Sequence, residues 1–441
     1  MKFNKFDILS FLPELTVKEF SIITDLKANN PQPGILIRIL SLFRHAFNFI
    51  NFKSLRRDNI IPNNSILLFG QNYNELLPYE NLKNNISEES SKNLYLFGNK
   101  KYKNDFPYKK IYLLSIFFIP FVFFNYILEK NKFKLQGYKY GFDQLCIICA
   151  TIFILPSYLN SLYPSKVVIS NHNSPFHLIL IATCKRLNIK TAYIQHALFH
   201  MKKFNFPLDL DEIFLDGFDS YNKLSYLYNF KKQIYIIGSL FQYTKSNSTI
   251  SFSSKNIIGI CINQADNIEA ISNLIKNLKS SATKFAIILR PHPSDRRLKF
   301  WIIFCNNHNI MISHSIIIDK FLLQIDYLIS GESNSHLMAL NLNIPSIYYN
   351  FSPGYFDDFY GFVLNKLLID CTKIEALIDF LSQKHTNIRN KLKYYNHSID
   401  TKYEEKIPFI IYKILNNDNS YLEYVDNYET HSQSQIQSLK N

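Results

Sequence analysis

Glycine is scarce, with 11 in 441 residues. Neither glycine-rich phosphate loop, G-x-G-x-x-G or G-x-x-x-x-G-K-[ST], occurs, which argues against a dinucleotide oxidoreductase and a P-loop NTPase. Cysteine is scarce too: six in so long a chain do not make a disulfide framework. Cys146-x-x-Cys149 lies inside an apolar run with no second such pair, so buried packing is expected there, not zinc or redox chemistry. Met1–Leu15 has no continuous apolar core, so no secretory signal is expected and the reducing cytosol is the expected compartment. A basic, aromatic-interleaved RNA-binding signature and a recognition helix are both missing, and nucleic acid is not an expected partner.

What the chain does have is length and positive charge. At 441 residues and 47% hydrophobic content it can bury the cores of two α/β domains. Asn, Ile, Lys and Tyr are abundant, a pattern of codon bias that accounts for part of the +14 formal charge. The basic balance still favours polyanionic partners, namely an anionic membrane surface or an acidic sugar nucleotide.

The stretch Lys190–Asp219 organises the reading. Thr191–Gln195 is an apolar strand that ends at His196; Glu212–Leu215 is a second that ends at Asp216-Gly217. Residues just past the C-terminal ends of parallel strands line the ligand crevice of such sheets, so His196 and Asp216 face one cleft in this reading. Gly217 permits a sharp turn that leaves the carboxylate uncovered. The alternative is that Asp216 only caps the next helix.

Earlier in the chain, Ser65–Gly70 and Asn93–Gly98 flank a helix-compatible segment, which is the pattern of a βαβ unit. Lys166–Ser170 is another strand; its exit carries Asn171, His172, Asn173 and Ser174, either ligand contacts or N-cap chemistry, before Pro175 opens a helix. Ile111–Leu128 has no formal charge and basic residues on both sides, with Pro120 in its middle. It reads as a domain helix, an interfacial membrane-docking element or a span. Leu145–Leu155 is too short to span and reads as a core helix.

The predicted organisation is an N-terminal Rossmann-like domain at 1–240, a linker at 241–256, and a second Rossmann-like domain at 257–400. A helix in 401–425 packs back on the first domain, and 426–441 is a disordered polar tail. Six strands are expected in the second domain, the last at Leu367–Cys371. Three of its loops carry chemistry. Arg290-Pro291-His292-Pro293 frames an imidazole rigidly beside a permanent cation. Gly331-Glu332-Ser333-Asn334-Ser335-His336 offers backbone N–H groups and hydroxyls at a helix start, where a phosphate fits. Tyr355–Val363, with Tyr360, is an acidic and aromatic loop suited to stacking on a base or sugar. Asp209-x-Asp211 and Asp357-Asp358 are DxD-like, but in ordinary loop context, and no metal is expected.

These motifs, in this order, resemble those of GT-B glycosyltransferases that use CMP-activated keto-acid sugars. Leu215-Asp216-Gly217, His292-Pro293 and Ser333-Asn334-Ser335 are similar to the acidic-Gly, His-Pro and Ser-rich motifs of bacterial sialyltransferases. YIQHA and FLDG resemble the retaining β-Kdo transferases of capsule and lipopolysaccharide assembly. Leu215 stands where sialyltransferases place an acid, and Asn334 interrupts the serine motif.

The resemblance implies an α/β GT-B fold with two Rossmann-like domains facing across a cleft. It implies metal-independent transfer of Kdo or sialic acid from a CMP donor to a surface polysaccharide or lipopolysaccharide acceptor. Arg290, His292, Pro293, Gly331, Ser333, Asn334 and Ser335 would then bind CMP. Asp216 would be general base or nucleophile with His196 beside it, and Asn171, His172 and Tyr360 would touch substrate. The expected place of work is the cytoplasm, peripherally on the inner face of the cytoplasmic membrane. Two other readings stay open: a CDP-polyol phosphotransferase of teichoic-acid type, and a non-catalytic membrane-associated scaffold with a GT-B fold.

Overall fold

The structure is a computed structural model. It describes residues 34–50, 63–98, 106–171, 174–199, 210–227, 233–240, 257–264, 266–281, 285–293, 295–314, 317–352, 358–382, 389–399, 401, 403–418, 420 and 426–427. The linker 241–256, His172, Asn173 and residues 428–441 lie outside this set.

The first sheet contains β1 (Ile66–Phe69), β2 (Leu94–Phe97), β3 (Lys166–Ile169), β4 (Lys190–Ile194), β5 (Glu212–Leu215) and β6 (Gln233–Ile236). The second contains β7 (Ile257–Ile262), β8 (Ala286–Pro291), β9 (Met311–Ile312), β10 (Tyr327–Ser330) and β11 (Ser346–Tyr348). All of these pair in parallel. Strand β12 (Asp426–Asn427) adds antiparallel to β6, although a disordered tail was expected there. The orders are β12-β6-β5-β4-β3-β1-β2 and β11-β10-β7-β8-β9.

Parallel strands with helices on both faces must be apolar on both faces, and these are. In the first sheet Leu67, Phe69, Val167 and Ile169 point to one core, while Ile66, Leu68, Val168 and Ala192 point to the other. The second core is closed by the helix Ile407–Leu415. Leu367–Cys371 is not a strand. Among the described residues it makes a single bridge, Tyr348 to Asp370, because Phe362, Leu367 and Leu368 turn their side chains into the first domain's core.

The chain also returns to the first domain earlier than residue 401. Leu392, Tyr394, Tyr395 and Ile399 lie in that same core, and His397 N–H donates to the Asp216 carbonyl at 2.8 Å. Gly217 permits this approach: a Cβ there would stand 2.5 Å from the Tyr395 carbonyl carbon. At the opposite, N-terminal edge of the sheet, Lys166 and Glu212 form a buried ion pair at 2.7 Å that ties β3 to β5 across β4. Burial lowers the pKa of Lys166 and raises that of Glu212, so for each partner desolvation outweighs the attraction between them.

Ile111–Leu128 is not one helix. Helices Tyr108–Phe117 and Ile119–Leu128 meet at a 50° bend, and Pro120 sits in the first turn of the second. Leu145–Leu155 lies in the long helix Lys132–Leu162, of which Gly141–Leu162 is long and apolar enough to cross a bilayer while half of its most apolar window is buried inside the protein.

Candidate functional site

Each sheet has one place where successive strands run off in opposite directions, and ligands of open α/β sheets bind beyond the C-terminal ends of the strands there. In the first sheet this point lies between β1 and β3; in the second, between β7 and β10. Asn171 leaves β3 at the first point, and Gly331–Ser335 leave β10 at the second. Asp216 and His196 sit farther along the first edge, Arg290 and His292 one strand over on the second.

Asp216 is held by its backbone. Its N–H donates to Gln195 Oε1 at 2.9 Å, and its carbonyl accepts from His397. Gln195 is itself fixed, donating to Ser220 Oγ at 2.7 Å and to the Ala197 carbonyl at 3.1 Å. The half-buried Asp216 carboxyl is pushed by burial from its ordinary 3.8 up to about 7, against a hydrogen bond with Ser239 that pulls it down. It therefore exchanges a proton near neutral pH.

His196 Nδ1 bonds the Ser170 carbonyl, and a carbonyl only accepts, so Nδ1 carries the proton and Nε2 keeps its lone pair. Burial lowers the ring's pKa against the attraction of Glu75, which keeps the imidazole neutral. Glu75, absent from the sequence-based candidates, is the hub of this edge. Its carboxylate accepts from Gln71 N–H at 2.7 Å, Asn72 Nδ2 at 2.6 Å and Asn171 Nδ2 at 2.8 Å, and stands 3.5 Å from His177 Nε2. Burial alone would raise its pKa, but His177 and these donors overcome that and bring it to about 2. Asn171 is thus committed to Glu75 and not presented bare to a ligand.

On the second edge Arg290 does not stand open beside His292. Its guanidinium lies 5.3 Å over the Phe321 ring, next to Cys261, whose thiol reaches Ser335. Arg290 therefore packs against Phe321 beside Cys261, and its charge is felt at His292. His292 and Pro293 are exposed, and His292 N–H donates to the Ile262 carbonyl at 2.9 Å. Partial desolvation of the ring and then the charge of Arg290 lower the His292 pKa, so it offers a neutral imidazole instead of a cation.

Ser333 and Ser335 share a hydroxyl hydrogen bond of 2.8 Å. The buried Asn334 Oδ1 has no hydrogen-bond partner among the described residues. His336 lies beneath this turn, fully buried, its pKa lowered by burial to about 4. It donates from Nε2 to the Gly331 carbonyl at 2.8 Å and meets Ser346 Oγ at 2.7 Å through Nδ1, so it pins the turn.

Three more residues complete this edge. Asn263 leaves β7 and donates to the Glu332 carbonyl at 2.9 Å. Asp266 accepts from Asn263 N–H at 2.7 Å, and burial pushes its carboxyl up to about 7. Arg297 donates to the carbonyls of Asp266 and Asn263, both at 2.6 Å, while Asp295 clamps its other side at 2.8 Å.

A chain of hydrogen bonds joins the two edges. Glu332 Oε1 accepts from Phe359 N–H at 2.8 Å and from Tyr348 hydroxyl at 2.7 Å, which fixes the loop that carries Tyr360. The Tyr360 carbonyl accepts from Lys223 Nζ at 2.8 Å, and Lys223 pairs with Asp219 at 2.6 Å in the helix that Asp216-Gly217 opens. The loop after β11 is thereby tied to the helix that follows β5. Tyr360 is a connector in this arrangement, half-buried with its phenol pushed by burial up to about 12. Asp211 of the first DxD-like pair is taken by Lys185 at 2.6 Å and by Thr191, and Asp209 and Asp357 lie outside the described residues.

Asn263, Asp266, Gln195 and Glu332 carried a readable signal, since each stands within a few residues of a strand end. Glu75 carried none: it sits inside a helix-compatible segment and becomes a hub only because β1 and β3 are neighbours.

No protein-family model matches this chain, and no curated protein matches it. Solved structures do. The S. aureus MnaA–UDP co-structure is 12% identical with a TM-score of 0.51, over 82% of this chain and 97% of that one. The UDP-N-acetylglucosamine 2-epimerase from Rickettsia bellii is 14% identical with a TM-score of 0.50, over 82% of this chain and 98% of that one. The wall teichoic acid polymerase TagF is 14% identical over 87% of this chain and 98% of that one, with a TM-score of only 0.45. The first two likenesses establish the fold as GT-B, with two Rossmann-like domains, and nothing finer.

Proposed function

We propose that the protein is a glycosyltransferase of GT-B architecture that moves a sugar from a nucleotide donor to a hydroxyl of a glycan or glycolipid acceptor, with no metal ion required. The observation that carries this reading is Asp216, a half-buried carboxyl on a fixed backbone at a strand end, titrating at about 7. A carboxyl of that kind takes a proton at neutral pH, as a general base must. A nucleophile would be better served by full ionisation, and on that ground we assign Asp216 the role of base and not of nucleophile.

In the reaction, the acceptor oxygen bonds to the anomeric carbon while the bond from that carbon to the leaving phosphate oxygen breaks. The electron pair leaves with the nucleotide, and the acceptor's proton passes to Asp216. His196 Nε2, with its lone pair, accepts from a neighbouring hydroxyl of the acceptor and so positions it, leaving the reacting hydroxyl's proton to Asp216. Ser333, Ser335 and neutral His292 donate hydrogen bonds to the departing phosphate, backed by the charge of Arg290. The UDP in the MnaA structure supports placing a nucleotide on such a fold.

The donor we propose is a CMP-activated 3-deoxy-ulosonic acid, Kdo or sialic acid, on the strength of the motifs around Asp216, His292 and Ser333. A donor panel of CMP-Kdo, CMP-sialic acid, CDP-glycerol and UDP-N-acetylglucosamine, assayed with and without EDTA, tests it. Asp216→Asn should lower transfer by about a thousandfold with CMP affinity unchanged within about threefold. Turnover retained in Asp216→Asn removes the basis of the proposal. CMP release from CDP-glycerol alone would make the protein a polyol phosphotransferase instead.

A further inference from the structure

We infer that the bent helix pair Tyr108–Phe117 and Ile119–Leu128, together with the outer face of helix Ile35–Ile50, is a wedge that docks into the surface of an anionic lipid bilayer without crossing it. The inference is independent of the donor and of the reaction.

The first observation is the surplus of exposed apolar side chains. In Ile119–Leu128 Val122 is the fully buried residue, while Phe121, Phe123, Phe124, Ile127 and Leu128 are exposed, Phe124 at 61%. Phe117 at the bend is 78% exposed. A soluble surface carries single apolar residues without comment, but a contiguous cluster of this size marks an interaction site. Phe153, also exposed, extends the patch: its ring lies 5.4 Å from that of Phe118, which in turn lies 6.4 Å from Phe121.

The second observation is that helix Ile35–Ile50 is apolar on both faces. Arg38, Leu42 and Ala46 recur every four residues and are buried. Leu36, Leu40 and Phe47 fall on the opposite stripe at helical spacing and are exposed. Arg38 pairs with Asp143 at 2.9 Å and so ties this helix to Lys132–Leu162. One face therefore serves the fold, and the other has no role in it among the described residues.

The third observation chooses the occupant. Exposed lysines flank the wedge in the sequence on both sides. Between residues 106 and 142 there are six lysines and one acid, Glu129. Lys109, Lys110, Lys130, Lys132 and Lys139 are exposed, as is Arg44 on the neighbouring helix. A buried protein interface disfavours such lysines, whereas a surface of phosphatidylglycerol-type headgroups attracts them, each lysine raising affinity about fivefold. Geometry sets the depth. Each helix of the pair has 10 residues and is about 15 Å long, half the hydrocarbon thickness, so the wedge enters the headgroup and upper acyl region and stops.

The test is flotation of the full-length protein with phosphatidylcholine vesicles, with and without about a third phosphatidylglycerol, at low and at about 0.5 M salt. Binding is expected to the anionic vesicles, weakened by salt. It should fall at least about tenfold in the triple variant Phe121→Ser, Phe124→Ser, Ile127→Ser, whose changes lie on the exposed face. Phe124→Trp keeps an aromatic ring at the tip and should show fluorescence quenching by brominated lipid that the native protein, with buried Trp301, does not. The inference is overturned by failure to float with anionic vesicles, by equal flotation of the triple variant, or by an unquenched signal from the introduced tryptophan. It is equally overturned if the native protein is a dimer that the triple variant dissolves and no vesicle binding occurs, in which case a second copy covers the face.

Discussion

Asp216→Asn should make the protein more stable, by an amount that depends on pH. The folded carboxyl titrates near 7, against 3.8 for an ordinary aspartate. Because its pKa is raised on folding, the folded chain binds the proton more tightly than the unfolded chain between those two values. Stability contributed by the protonated form is complete below about pH 4, falls as pH rises through 7, and is gone above it. Asparagine has no such dependence. The separation of the two values sets a ceiling of about 4 kcal/mol at about 1.4 kcal/mol per pH unit. The carboxyl is half-buried and bonded to Ser239, so solvent screening reduces the expected gain to about 1–3 kcal/mol at pH 8, with almost none at pH 4. Urea unfolding of both proteins at four pH values between 4 and 8 measures this directly, without any substrate. A stability difference that is flat across this range, or a loss at pH 8, would refute the claim that burial of Asp216 sets its proton affinity. The same titration predicts that the transfer rate rises with pH and levels above about 7.

Gly217→Ala should destabilise by about 1–3 kcal/mol or more, since the new methyl meets the backbone of Tyr394 and Tyr395 and neither can rotate away; urea midpoints with an unchanged far-UV spectrum would show it. Lys166→Met should cost about 3–5 kcal/mol because it strands the Glu212 carboxylate, and adding Glu212→Leu should recover most of that; a double variant as unstable as the single would contradict the account of the pair. Glu332→Ala leaves Phe359 N–H and the Tyr348 hydroxyl without their acceptor, at about 1.5–3 kcal/mol, and should raise KM for donor more than it lowers kcat, as steady-state kinetics would reveal. Glu75→Gln should weaken the hold on Asn171 and on the turn at Gln71, with greater protease sensitivity of residues 70–75 than in the native chain.

The strands of both sheets were legible because parallel strands buried on two faces are written as short apolar runs, each broken by polar residues where the strand leaves the core. Glu212–Leu215 and Ile257–Ile262 fall where they were expected for that reason. Leu367–Cys371 is apolar for another cause: Leu367 and Leu368 fill the core of the first domain, and a short apolar run looks the same whether it pairs in a sheet or plugs a neighbour. The bend at Phe118 was likewise hidden, since an uncharged run with a central proline fits a kinked helix and two separate ones equally well.

Composition and spacing alone determined that the chain is two α/β domains, and they singled out Asp216, His196, His292 and the Ser333 turn as strand exits to examine. Only the tertiary structure decided what state those groups are in. Arg290 lies over Phe321 instead of standing bare, Asn171 is taken up by Glu75, and the Asp216 carboxyl is lifted toward neutrality. Proton affinity and availability depend on what surrounds a side chain in space, and residues such as Glu75 and His397, far from Asp216 in sequence, meet this edge only once the sheets have formed and the chain has crossed back.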